Sequence, residues 1–139
     1  MGKVTDCQLM DLVKIVDARG NLTFIEGGKH IPFEIKRIYY LYDLPTETHR
    51  GGHAHKELFQ LLICMSGSLE VLLDDGFEKK RIRMSRPDVG LYITPGIWRE
   101  LEGFSSNSVC LVLASEVYDE SDYCRDYQEF ILAVSKGSL

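Results

Sequence analysis

Short apolar runs rich in β-branched and aromatic residues recur along this chain, and each is closed by residues that reverse the backbone. Leu12 to Val16, Leu22 to Glu26, Ile35 to Tyr42 and Leu58 to Met65 are followed by Ser68 to Asp74, Phe77 to Met84, Val89 to Thr94 and Val109 to Ala114. Turn residues stand between them, as in Arg19-Gly20-Asn21, Ser66-Gly67-Ser68, Asp74-Asp75-Gly76 and Pro95-Gly96. Many short strands can each bury a face only by stacking two sheets or by rolling one sheet up, so the pattern predicts an all-β sandwich or barrel. Asp75-Gly76 predicts a type I′ hairpin, because both residues tolerate positive φ. Helical spacing is confined to the end, where Ser121 is placed to cap and Tyr123, Tyr127, Phe130, Ile131 and Val134 recur before Gly137.

A chain of 139 residues is the size of one domain and buries roughly 68% of its unfolded surface. The expectation is a single domain over 1–139. An unpaired early strand such as Leu12 to Val16 needs cover, and a second subunit can supply it. The net charge of −5 and the dispersal of Lys and Arg argue against a nucleic-acid partner. No apolar run reaches the roughly 18 residues of a membrane span, and the first residues lack a secretory core, so the expected location is the cytoplasm with no membrane contact. Cys7, Cys64, Cys110 and Cys124 have no paired spacing, and Cys64 and Cys110 lie inside apolar runs. They read as small buried hydrophobes.

The chemistry concentrates in His53-Ala54-His55, followed by Gln60 and Gly67. This spacing resembles the first half of the cupin metal signature, His-x-His-x4-Glu-x6-Gly, with glutamine in the carboxylate position. The segment from Gly90 to Arg99 has the turn and Gly-x-x-His spacing of the second half, with Arg99 in the histidine position. A guanidinium offers no lone pair and repels a cation, so the motif reads as a metal pocket converted to metal-free acid/base work. Two readings compete with this one: a surface histidine pair on a loop, and a residual two-histidine metal site.

On a strand, His53 and His55 project from one face and can share a lumen. An ordinary imidazole value near 6.5 suits proton transfer. His55 lies deeper along the strand and is expected to be the base, with His53 as its partner. Arg19, Arg37, Arg50, Arg99 and Arg125 are candidate phosphate ligands through bidentate contacts, although any one arginine is more often a solvated charge. Tyr39 shares a strand face with Arg37, and Tyr39 or Arg99 can stabilise an oxyanion. Glu26, Glu57 and Glu100 are candidate bases better read as solvated, as are His30 and His49.

Arg50-Gly51-Gly52-His53-Ala54-His55-Lys56, Gly90-Leu91-Tyr92-Ile93, Trp98-Arg99-Glu100, Leu113-Ala114-Ser115-Glu116 and the run from Tyr118 to Tyr123 resemble the TDP-4-keto-6-deoxyglucose 3,4-ketoisomerases. The similarity extends to the run from Ile31 to Tyr40 and covers nearly the whole chain. It implies a small all-β cupin (jelly-roll) barrel with a short C-terminal helix, working as a homodimer that exchanges N-terminal strands. It also implies catalytic histidines at His53 and His55, no cofactor, and a TDP-linked 4-keto-6-deoxyglucose substrate. Arg19 and Arg99 occupy positions that vary within the family and bear on which face of carbon 4 is protonated. Gln60 joins the arginines as a substrate contact. A nucleotide-sugar 3,5-epimerase, also a metal-free cupin, and a non-catalytic sugar-binding cupin are the alternatives.

Overall fold

The apolar runs become strands in a computed structural model that describes residues 2–139. In chain order they are β1 Gln8–Asp11, β2 Val13–Ile15, β3 Leu22–Phe24, β4 Arg37–Leu41, β5 Arg50–His55 and β6 Gln60–Ser66. There follow β7 Leu69–Asp74, β8 Lys79–Met84, β9 Val89–Ile93, β10 Trp98–Glu102, β11 Val109–Ala114 and β12 Tyr123–Cys124, and the α-helix α1 Tyr127–Ser135 comes last. One antiparallel sheet has the order β1-β9-β6-β11-β4 and a second β12-β5-β10-β7-β8, while β2 and β3 pair only with each other. The expected barrel is thus a cupin-like sandwich of two sheets whose edge strands do not join them. No helix is long and apolar enough to cross a membrane among the described residues.

The main core lies between the sheets. Leu62 and Cys64 of β6, Leu91 and Ile93 of β9 and Cys110 and Val112 of β11 meet Leu69, Val71 and Leu73 of β7. The alternate residues Leu61, Ile63 and Leu113 face outward but are covered by Leu12 and Ile31 of the N-terminal segment. β6 is therefore apolar on both faces, which is why its sequence runs Leu-Leu-Ile-Cys without alternation. Behind the second sheet, α1 lays Phe130 and Val134 on Ala54 and Trp98.

Two local expectations differ. The predicted helix from Ser121 begins only at Tyr127, where the Asp126 side chain accepts from Glu129 N–H at 2.9 Å. Ser121 sits in a single 3-10 turn, and Tyr123 pairs with His55 as strand β12. Tertiary pairing has overridden the 3.6 period. The Asp75-Gly76 hairpin exists, but its loop runs from Asp75 to Glu78, between the paired Asp74 and Lys79. Positive φ occurs at Gly76 alone in that loop, so it is not a two-residue I′ turn. Instead the Asp75 carboxylate accepts from Phe77 and Glu78 N–H, and from Val4 N–H at 2.8 Å, which ties the N-terminus to the loop.

Candidate active site

Strand β5 delivers the histidines, and two glycines shape it. Gly51 and Gly52 both have positive φ, at 80° and 70°, and a Cβ on Gly51 would come within 2.9 Å of the Arg99 carbonyl of β10. Only glycine relieves both conditions, and the register of β10 against β5 shifts at this point, between Arg99 and Glu100. His53 then lies opposite Arg99, with the edge strand β12 on the far side of β5.

A cavity of about 520 Å³ opens between the sheets. Its polar wall comprises His53, Tyr39, Gln60 and Arg99, with Tyr123 beside them and Arg37, Arg50 and Arg125 around the rim. Arg99 is 3% exposed. Its guanidinium donates to the Ile97 carbonyl through Nε and Nη2, at 3.1 and 3.0 Å, and through Nη1 to the Gln60 side-chain oxygen. The Gln60 amide donates in turn to the Tyr39 hydroxyl at 3.1 Å. No carboxylate pairs with Arg99 among the described residues. Burial pulls its pKa down to about 10, which still leaves it a cation at neutral pH. Burial pushes the Tyr39 hydroxyl up, with the Arg99 charge opposing. A buried cation with no carboxylate partner carries an uncompensated charge that an anionic ligand would neutralise.

The two histidines meet different surroundings. His53 lines the cavity, whereas His55 is 1% exposed and lies behind the wall. Their rings stand edge-on at 4.9 Å between centroids, and Tyr123 lies against both, at 5.0 and 4.3 Å. His55 Nδ1 bonds Asp122 Oδ2 at 2.9 Å. A carboxylate only accepts, so Nδ1 carries the proton and the lone pair is on Nε2. Burial, reinforced by the Arg99 guanidinium, lowers His53 to about 4 and His55 to about 2. Burial dominates, and both rings are neutral at pH 7.

All the expected site residues except His55 and Arg19 line this cavity. Arg19 is at the β2–β3 turn, 90% exposed at its side chain and paired with Asp17 at 2.9 Å. Its side chain points to solvent and does not line the cavity, so within this chain Arg19 is a solvated charge. Arg125 stacks over Tyr123 at 4.1 Å and pairs with Glu120. Glu57 is exposed; its N–H donates to Asp122. Sequence reasoning missed Tyr123 and Asp122. The helical spacing around them pointed elsewhere, and the partner His55 is 67 residues away.

The wall does not suit a metal. Gln60 is committed to Arg99 and Tyr39, a guanidinium fills the next position, and no three His, Cys, Asp or Glu side chains converge among the described residues. What the arrangement offers is a neutral imidazole, a phenol and a fixed cation around one space.

Known proteins share this plan. The TDP-4-oxo-6-deoxy-α-D-glucose-3,4-oxoisomerase of Aneurinibacillus thermoaerophilus is 48% identical over 132 residues, 95% of each chain. QdtA, a sugar 3,4-ketoisomerase from Thermoanaerobacterium thermosaccharolyticum solved in complex with TDP, is 44% identical and superposes with a TM-score of 0.94 over 99% of this chain and 100% of its own. A 3,4-ketoisomerase from Helicobacter canadensis is 48% identical with a TM-score of 0.91, covering 94% of this chain and 98% of its own. The sequence profile of the FdtA family, described as WxcM-like, C-terminal, matches residues 5–135. A match over that span, on a fold and a wall of this composition, makes the chain a member of the FdtA family.

Proposed function

We propose that this chain is a cofactor-free isomerase converting TDP-4-keto-6-deoxyglucose to a TDP-3-keto-6-deoxyhexose, for deoxysugar synthesis in the cytoplasm. The observation that carries the reading is the neutral His53 imidazole opening onto a cavity whose other polar groups are Tyr39 and the unpaired Arg99. Moving a ketone from carbon 4 to carbon 3 removes the carbon 3 proton, passes through an enediol, shifts a proton between the two oxygens and protonates carbon 4. No electron leaves the sugar, so a base and an acid suffice. His53 takes the carbon 3 proton, exchanges it with solvent, and then delivers a solvent-derived proton to carbon 4. This reverses the order expected from sequence, in which His55 was the base, because His53 has the access and His55 does not. Tyr39 and Arg99 face the developing enediolate; one preorganised donor of this kind is worth roughly 3 kcal/mol. Arg37, Arg50 and Arg125 hold the diphosphate, and that remote binding positions the sugar.

The same wall supports metal-independent turnover, because Gln60 and Arg99 stand where ligands are needed. The single domain works as a homodimer. The β2–β3 hairpin leaves Ile15, Val16 and Leu22 more than half exposed, at 52%, 72% and 55%, and a second copy is the cover that the sequence anticipated.

The test is a product spectrum. Incubated with TDP-4-keto-6-deoxyglucose in D2O, the protein should yield a 3-keto sugar carrying deuterium from solvent at carbon 4. Label at carbons 3 and 5 with the 4-ketone retained would make it an epimerase, and no label at all would make it a binding protein.

A further inference from the structure

The isomerase reading gives His53 a proton to hold, and the structure shows a problem that this creates. Once His53 is an imidazolium, both its nitrogens are N–H donors, and Nδ1 is buried without a well-formed hydrogen bond, although the Gly51 backbone acts on the ring as an acceptor. Leaving such a donor unmade inside a protein is costly. The other orphaned ring nitrogen of this histidine pair is His55 Nε2, buried and equally without a partner. The two rings meet edge-on at 4.9 Å. His55 can accept from His53 only if its own proton is on the far nitrogen, Nδ1, and the far nitrogen is the one that touches Asp122.

We propose that Asp122 is a positioning residue, which locks His55 as the Nδ1–H tautomer so that His55 Nε2 presents a lone pair to His53 when His53 takes the substrate's proton. Asp122 is itself held in place. Its Oδ1 accepts from Glu57 N–H at 2.8 Å, its carbonyl accepts from Lys56 N–H at 2.9 Å, and its own N–H donates to the Asp119 carbonyl at 3.1 Å. Those bonds fix the carboxylate against β5 just past the histidines. Both of its oxygens are in use, one on the backbone and one on the imidazole, which is why an amide cannot replace it. In Asp122→Asn the single carbonyl oxygen stays on Glu57 N–H and the NH2 group turns to His55 Nδ1. The ring must then carry its proton on Nε2, and two N–H donors confront each other across the histidine pair. Tyr123 closes the remaining side of both rings and offers neither of these nitrogens a hydrogen bond.

The inference rests on the isomerase reading for its catalytic consequence, but its structural half is measurable without substrate. Nitrogen-15 NMR of the ligand-free parent should show the His55 ring protonated at Nδ1 and bare at Nε2, and Asp122→Asn should reverse this. With substrate, Asp122→Asn should lose at least ~100-fold in kcat, the low end for damaged acid–base catalysis, with KM and TDP affinity within roughly threefold of the parent. Two results would overturn the proposal: an unchanged kcat in Asp122→Asn, or a reduced kcat with the His55 tautomer unaltered, as when the Gly51 carbonyl rather than His55 serves His53. A parent that makes no 3-keto product would defeat the isomerase reading alone, and the tautomer measurement would still decide what Asp122 does to His55.

Discussion

His53 and His55 are two residues apart on one strand, share a face, and still acquire different chemistry, because depth below the surface changes over that distance. His53 keeps access to the cavity; His55 is sealed behind it, against Asp122 and Tyr123. Burial, with Arg99 adding to it, holds His53 at about 4 instead of the ordinary 6.5, so its imidazole, the proposed base, is already deprotonated in mildly acidic solution. The pH dependence of kcat/KM reports the free enzyme's base. It should stay level down to roughly pH 5 and fall with a midpoint near 4, and a midpoint near 6.5 would show that His53 is not desolvated as described. Stability follows the same sign. Both imidazoles bind protons less readily folded than unfolded, so their full contribution is present above about 6.5 and is lost as pH falls through about 4 for His53 and toward about 2 for His55. Much of this residue scale was legible. The spacing of His53, His55, Gln60 and Arg99 follows from strand alternation and a turn. Which histidine faces the cavity was not, because it depends on β12 and on Asp122, brought in from far along the chain.

At the scale of elements, sequence patterns worked where packing is local and failed where it is not. β11 was read at its observed limits, since alternate burial on a central strand leaves a plain apolar signature. β10, Trp98–Glu102, carries arginine and two glutamates and gave no such signature, although it forms one wall of the site. β12 was mistaken for helix because Tyr123 and Tyr127 fall at helical spacing while the chain between them turns. The N-terminal hairpin offers a prediction of its own. β4 is an edge strand whose outward residues Ile38 and Tyr40 are 57% and 59% exposed, and the hairpin adds Ile15 and Leu22 to the uncovered apolar surface. Monomers rarely leave so many large apolar groups in water. Light scattering should find a dimer for the parent and a monomer for the double variant Ile15→Asp, Leu22→Asp. A parent that is monomeric at micromolar concentration would remove the hairpin's proposed partner.

For the molecule as a whole, the cavity's charge runs against the chain's. The protein carries a net charge of −5, yet Arg37, Arg50, Arg99 and Arg125 converge on one opening. A positive cleft in an acidic protein concentrates a small dianion without attracting polyanions generally, which fits a diphosphate-linked sugar. The fold gathers that cation cluster and the neutral His53 imidazole around one cavity, where His53 is proposed to move the proton without help from a metal. The most direct measurement is hydrogen exchange at carbon 3 of TDP-4-keto-6-deoxyglucose in D2O, followed by proton NMR, with chelator-treated parent and His53→Asn compared. An undiminished rate is expected for the treated parent and a loss of at least ~100-fold for His53→Asn. Exchange that stops on chelation and returns with an added metal, or that proceeds at the parent's rate in His53→Asn, would contradict that metal-free role of His53.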